Sequence, residues 1–220
     1  AEFRTILQRG LRLTMFVGLP ASIGLMLVGL PLVRVLFEHG EKMQLDDSKR
    51  ITTVLIGYAS AVWAYSTTHL IVRAFYAVKD VHTPLRVSVA MVILNLVLNL
   101  ILVWKLAEAA LAWSTALTAV IQTAVLVVAV RRYVFRPVDR SVLVSWGRSA
   151  VLTAMMAIIL WAILRWRDPA QLSRLDCGGL LTGLVVIGMG VYLFGARLLG
   201  AEELGWLRRG KSVKPKERTP

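Results

Sequence analysis

Two pairs of polar residues stand inside runs that are otherwise apolar, and their spacing suits recognition chemistry. Asn95 and Asn99 are four residues apart, as are His69 and Arg73. That spacing puts both members of a pair on one helix face. A polar group in such a run is costly in lipid unless it is partnered or functional. Side-chain oxygens of Asn95, Asn99 and Thr115, with the backbone carbonyl near Leu111, could surround a small hard cation of the Na+ class. The ordinary alternative, with Thr118 included, is interhelical hydrogen bonding worth roughly 0.6 kcal/mol per bond. No carboxylate belongs to the set, so neutral oxygens alone would hold an ion weakly. His69 and Arg73 could line an aqueous cavity and meet an anionic headgroup. Alternatively Arg73 snorkels to the interface while His69 is satisfied within the bundle.

A short polar loop follows Tyr76 and contains Lys79, Asp80, Thr83 and Pro84. Catalysis is disfavoured by what the apolar runs lack. Carboxylates fall only in connections and at ends, among them Glu38, Asp46, Asp80, Glu108, Asp139 and Asp168. The three histidines, His39, His69 and His82, lack ligand spacing on one helix. Cys177 is alone, so neither a disulfide framework nor a cysteine metal site can form. A carrier, or part of one, is left.

The elements that must position these residues follow from composition. Hydrophobic residues make up 57% of the 220 and charged residues only 18%, with a mean hydropathy of +0.66. About 20 mainly apolar residues cross roughly 30 Å of hydrocarbon. Six segments qualify, at about 13–36, 51–78, 87–104, 111–130, 142–164 and 180–199. The expectation is an all-α, polytopic six-helix membrane lobe over 1–200 with a basic tail over 201–220. Residues 2–12 read as an interhelical connection, and the start without Met reads as that of a fragment.

Basic residues set the expected orientation. Arg4, Arg9, Arg12, Lys79, Arg86, Arg131, Arg132, Arg136, Arg140 and the tail would share one side. Lys42, Lys49, Arg50, Lys105, Arg165, Arg167 and Arg174 would share the other. The positive-inside rule then puts both chain ends in the cytoplasm. In a membrane chain the net charge of +13 points to topology and anionic lipid rather than to nucleic acid. Tail residues Arg208, Arg209, Lys211, Lys214, Lys216 and Arg218 would favour acidic headgroups by about 1 kcal/mol each, or form a disordered, solvated tail that serves only orientation. Pro20 and Pro31, with Gly18, Gly24 and Gly29, mark bends in the first span. Glycines from Gly179 to Gly195 in the last span allow close helix contact or a shallow groove.

These residues carry a resemblance. FYAVKDVHTPLR at Phe75–Arg86, Asn95 and Asn99, and LAWSTAL at Leu111–Leu117 together resemble the C-terminal half of the MurJ/MviN family. LPASIGLMLVGLPLVRVLFEHG at Leu19–Gly40 follows the family pattern too. The resemblance is strong over 11–131 and only positional beyond. It implies the last six helices of a fourteen-helix carrier that moves lipid II, the undecaprenyl-linked peptidoglycan precursor, across the bacterial inner membrane by alternating access. A missing N-terminal lobe would hold most headgroup-binding arginines, and the last two helices would form a groove for the lipid tail. His69, Arg73, Tyr76, Lys79, Asp80, Thr83 and Pro84 are the substrate or transport candidates here. Asn95, Asn99, Leu111 and Thr115 are the cation candidates, with Na+ coupling as the only cofactor-like requirement. The sequence departs from the pattern at Glu41, Lys42 and Met43 after Gly40, at Trp113, and at Asn99, where some relatives carry a carboxylate. Other readings stay open: a flippase for another lipid-linked oligosaccharide, or a non-transporting membrane scaffold.

Overall fold

The computed structural model describes residues 2–38, 45–134 and 137–209. His39, Gly40, Glu41, Lys42, Met43, Arg136, Lys211, Lys214, Lys216, Arg218 and the side chains of Arg174, Arg208 and Arg209 lie outside the described residues. Among those described there is no strand. The helices are α1 (Glu2–Leu27), α2 (Gly29–Phe37), α3 (Leu45–Ala59), α4 (Val62–Ala77), α5 (His82–Leu106), α6 (Ala109–Ala129), α7 (Arg140–Trp166), α8 (Arg174–Leu198) and α9 (Glu202–Arg209).

Among the described residues, five segments are long and apolar enough to cross a bilayer: Glu2–Leu27, His82–Leu106, Ala109–Arg132, Arg140–Gln171 and Leu175–Leu198. The run at 51–78, read from the sequence as one span, is two helices of 15 and 16 residues. Neither reaches the length a crossing needs, and together they do. The break at Ser60–Ala61 is held by both local and distant hydrogen bonds. The Ser60 hydroxyl donates to the Gly57 carbonyl at 2.7 Å, and the Ala61 amide donates to Tyr58, tightening the turn. The new helix start leaves the Trp63 amide without a helical acceptor. It donates instead to Ser22 Oγ on α1 at 3.0 Å.

The run at 13–36 is also two helices, parted at Val28. Pro31 lacks the N–H that the Leu27 carbonyl would accept, so the ladder opens there. Residues 2–12, read as a connection, are the first turns of α1. Leu7 and Leu11 drive this, being buried against Ile71, Phe75, Leu126 and Val142.

α1 lies between α4 and α7, α5 and α6 form a hairpin, and α8 packs on α7 and α2. Small residues let α3 and α6 approach closely: a Cβ on Gly57 would sit 2.7 Å from the Ala112 Cβ. One end of the bundle gathers the start of α1, the α4–α5 loop, the start of α7 and α9. Arg4 and Gln8 reach Asp139 there, Tyr133 reaches Asp80, and Arg12 reaches α9.

Candidate functional site: an apolar groove and a polar helix face

Pro20 sits inside α1 and frees the carbonyl of Phe16, four residues earlier. The Tyr192 hydroxyl of α8 donates to that carbonyl at 2.7 Å, and the two rings lie 5.2 Å apart. Both residues line a groove of about 460 Å³ between α1, α7 and α8. Phe16, Pro20, Gly24, Met156, Gly188 and Tyr192 are among its lining residues. The glycines matter by omission: a Cβ on Gly188 would stand 3.3 Å from Leu160, and one on Gly24 3.8 Å from Met156. Tyr192 is the one hydrogen-bonding side chain in the lining, and its hydroxyl is already committed. Such a surface suits a hydrocarbon chain.

The substrate candidates divide into two groups. His69, Arg73 and Tyr76 share the exposed face of α4, whose opposite face buries Thr67, Ile71, Ala74 and Phe75. Neither His69 nor Arg73 hydrogen-bonds to a described residue, so both are available to a ligand. Lys79, also exposed, ends the helix in a left-handed conformation with φ 63°. Its amide donates to Tyr76 and the Asp80 amide to Phe75, closing the last turn. Asp80, Thr83 and Pro84 instead shape the loop. Asp80 Oδ1 accepts the Thr83 amide at 3.0 Å and Oδ2 the Tyr133 hydroxyl at 2.9 Å. Hydrogen bonds from Thr83, chiefly its side chain, and from Tyr133 lower the Asp80 carboxyl to about 2. Pro84 is buried in the first turn of α5, where its missing N–H costs nothing.

The cation candidates come together, but as a hydrogen-bonded clamp between α5 and α6. Asn95 Nδ2 donates to Thr115 Oγ1 at 3.4 Å and to Thr118 Oγ1 at 3.3 Å. Asn99 Nδ2 donates to Asn95 Oδ1 at 3.0 Å, and Ser114 donates to Asn99 Oδ1. The Leu111 carbonyl accepts the hydroxyls of both Ser114 and Thr115. Each oxygen that would face a cation already accepts a protein hydrogen, and none carries charge. The set fits a clamp better than an ion cage.

Three participants were not singled out from the sequence. Tyr192 and Tyr133 each act on a partner distant in the chain, which no local spacing reveals. Glu203, in the stretch read as tail, is 2% exposed and accepts from Arg12 at 2.7 Å and Ser145 at 2.8 Å. Burial pushes its carboxyl up, while its own amide, Ser145 and Arg12 together outweigh that and hold it below the usual range. Arg12 also lies 4.8 Å from the centre of the Trp206 ring.

The family described as lipid II flippase MurJ matches residues 1–170. A probable lipid II flippase MurJ of Vibrio cholerae serotype O1 is 28% identical over 203 residues, covering 90% of this chain and 38% of that protein. One from Chlamydia muridarum is 36% identical over 191 residues, covering 85% of this chain and 30% of that protein. A solved structure, "Lipid II flippase MurJ, inward closed conformation", shares the fold at a TM-score of 0.75 and 21% identity, covering 90% of this chain and 39% of that one. The chain thus spans between 30% and 39% of the length of these three proteins. The family match runs over most of its residues, and the chain belongs to the MurJ lipid II flippase family.

Proposed function

We propose that this chain is the groove-bearing lobe of a carrier that moves lipid II across the bacterial inner membrane, with its basic end in the cytoplasm. The rest of such a carrier, corresponding to the part of the relatives not spanned here, supplies the opposing lobe and most of the headgroup contacts. The two lobes alternate access by rocking, and no bond of the substrate is made or broken. The polyprenyl tail lies in the groove between α1, α7 and α8, and the apolar lining of that groove is the observation that carries the reading. His69, Arg73, Tyr76 and Lys79 face the transport path and offer cationic and hydrogen-bonding contacts to the anionic headgroup. Asp80, Thr83 and Pro84 hold the loop that aims them, and Asn95, Asn99, Leu111 and Thr115 lock α5 onto α6.

The test uses the whole carrier in cells depleted of their own flippase, reading exposure of labelled lipid II at the outer leaflet. Gly24→Leu, which fills the groove from an uncrowded position, should lower exposure while protein abundance stays constant. Arg73→Ala should do the same. Unchanged exposure in Gly24→Leu would sink the groove assignment. Movement of a different lipid-linked oligosaccharide, with lipid II left behind, would reassign the substrate.

A further inference from the structure

A second cleft, of about 540 Å³, opens at the basic end between the first turns of α7 and the start of α9. Arg12, Arg140, Arg148, Ser141 and Glu202 are among the residues around it. Its charges are not balanced among themselves. Arg12 is matched by Glu202 at 2.9 Å and Glu203 at 2.7 Å. Asp139 is engaged by Arg4, Gln8 and the amides of Ser141 and Val142. Arg140 is exposed and hydrogen-bonds to no described residue, and Arg148 reaches only the Gly200 carbonyl at 3.5 Å. Among the described residues, neither of these two arginines is paired with a carboxylate, and Glu202, which lines the cleft, is taken by Arg12.

Two turns of α7 separate Arg140 from Arg148, so their heads can converge on one group from either end of the cleft. Planar guanidinium forks suit phosphate oxygens. The cleft also offers an apolar side chain between the two arginines: Val144 lines it and is 53% exposed. A water-soluble anion would gain nothing from that side chain, whereas the glycerol and first acyl carbons of a lipid would cover it. Basic pockets at the ends of membrane helices suit acidic headgroups for the same electrostatic reason. We propose that this cleft is a binding site for the phosphate of an anionic phospholipid headgroup, separate from the groove between α1, α7 and α8.

Binding is read by native mass spectrometry of the protein in detergent, with phosphatidylglycerol, phosphatidylcholine and inorganic phosphate as probes. Phosphatidylglycerol should remain bound in preference to phosphatidylcholine, and millimolar phosphate should not displace it. The double variant Arg140→Gln/Arg148→Gln should bind phosphatidylglycerol ~30-fold more weakly. Neither side chain holds a buried contact, and an unchanged circular dichroism spectrum checks that the variant folds. If it does not, Arg140→Gln alone carries the test, with a loss of roughly fivefold. Lys214→Gln/Lys216→Gln serves as the control for general surface charge. An equal loss in that control, or no loss in the α7 variants, overturns the site. Displacement by phosphate alone would mean a free-anion site and overturns the lipid assignment.

Discussion

Asn99 is placed where one added charge would change the chemistry of its surroundings. Its Oδ1 accepts from Ser114 and its Nδ2 holds Asn95, so the ring of oxygens is closed and neutral. Asn99→Asp would remove the donor to Asn95 and turn two of those oxygens toward a cation. The expected outcome is a thermal unfolding temperature that rises with Na+ in the variant and not in the parent, measured at constant ionic strength with K+ as the control. Asp80 makes a second residue-scale prediction. Its carboxyl titrates at about 2 in the folded protein, below its ordinary value near 4. It therefore contributes stability that is fully present above pH ~4 and is lost as the pH falls toward 2. Asp80→Asn should flatten that acid limb of the stability profile and lower the plateau above it. The pairing of Asn95 with Asn99 was legible in the sequence because helix spacing dictates it. Thr115 and Thr118 were legible as interhelical partners as well, whereas the part of Ser114 was not, because it depends on the rotation of α6 against α5.

At the scale of helices, close approach and broken ladders decide where the elements sit. Gly57 admits α6 to within contact of α3, whereas Gly147 has nothing within 4 Å of where a Cβ would be. Gly57→Ala should destabilise by about 1–3 kcal/mol through overpacking. Gly147→Ala should be neutral or stabilise by roughly 0.5–1 kcal/mol through helix propensity. Thermal unfolding in detergent separates the two. The Pro20–Tyr192 relation predicts a coupling. Tyr192→Phe leaves the Phe16 carbonyl unpaired and should cost about 1–2 kcal/mol. In a Pro20→Ala background, where residue 20 supplies its own N–H, the same change should cost less than half as much in a double-mutant cycle. Proline bends were legible because their cause is local. The break at Ser60–Ala61 was not: Val62 and Ala64 continue an apolar run, and the freed amide of Trp63 is satisfied by Ser22, 41 residues away.

Across the whole molecule, the stretch read as a tail begins as a structural member. Glu203 is buried between α1 and α7 with Arg12 and Ser145, and α9 lies against the start of α1 through Arg12 and Trp206. Arg12→Ala should therefore cost about 3 kcal/mol, since it leaves a buried carboxylate without its cation. Glu203→Gln should cost less, because it retains the Ser145 contact without a stranded charge. Limited proteolysis of α9 should rise sharply in Arg12→Ala and only slightly in Glu203→Gln. The overall plan of apolar helices with one basic end was legible, since charge and hydropathy are written residue by residue. The clasp between the two ends was not, because Arg12 and Glu203 are 191 residues apart.

The same separation in sequence has a consequence for how the protein is made. α1 leaves the ribosome with the Phe16 carbonyl already released by Pro20, and its partner hydroxyl, Tyr192, lies 176 residues further on. At about 5–20 residues per second, that carbonyl waits roughly 10–35 seconds. An unpaired backbone group facing hydrocarbon is costly for as long as it waits. Until α8 emerges, water, a neighbouring helix or a polar surface of the insertion machinery has to stand in for Tyr192. The settling of α1 into lipid is timed by α8 rather than by its own synthesis.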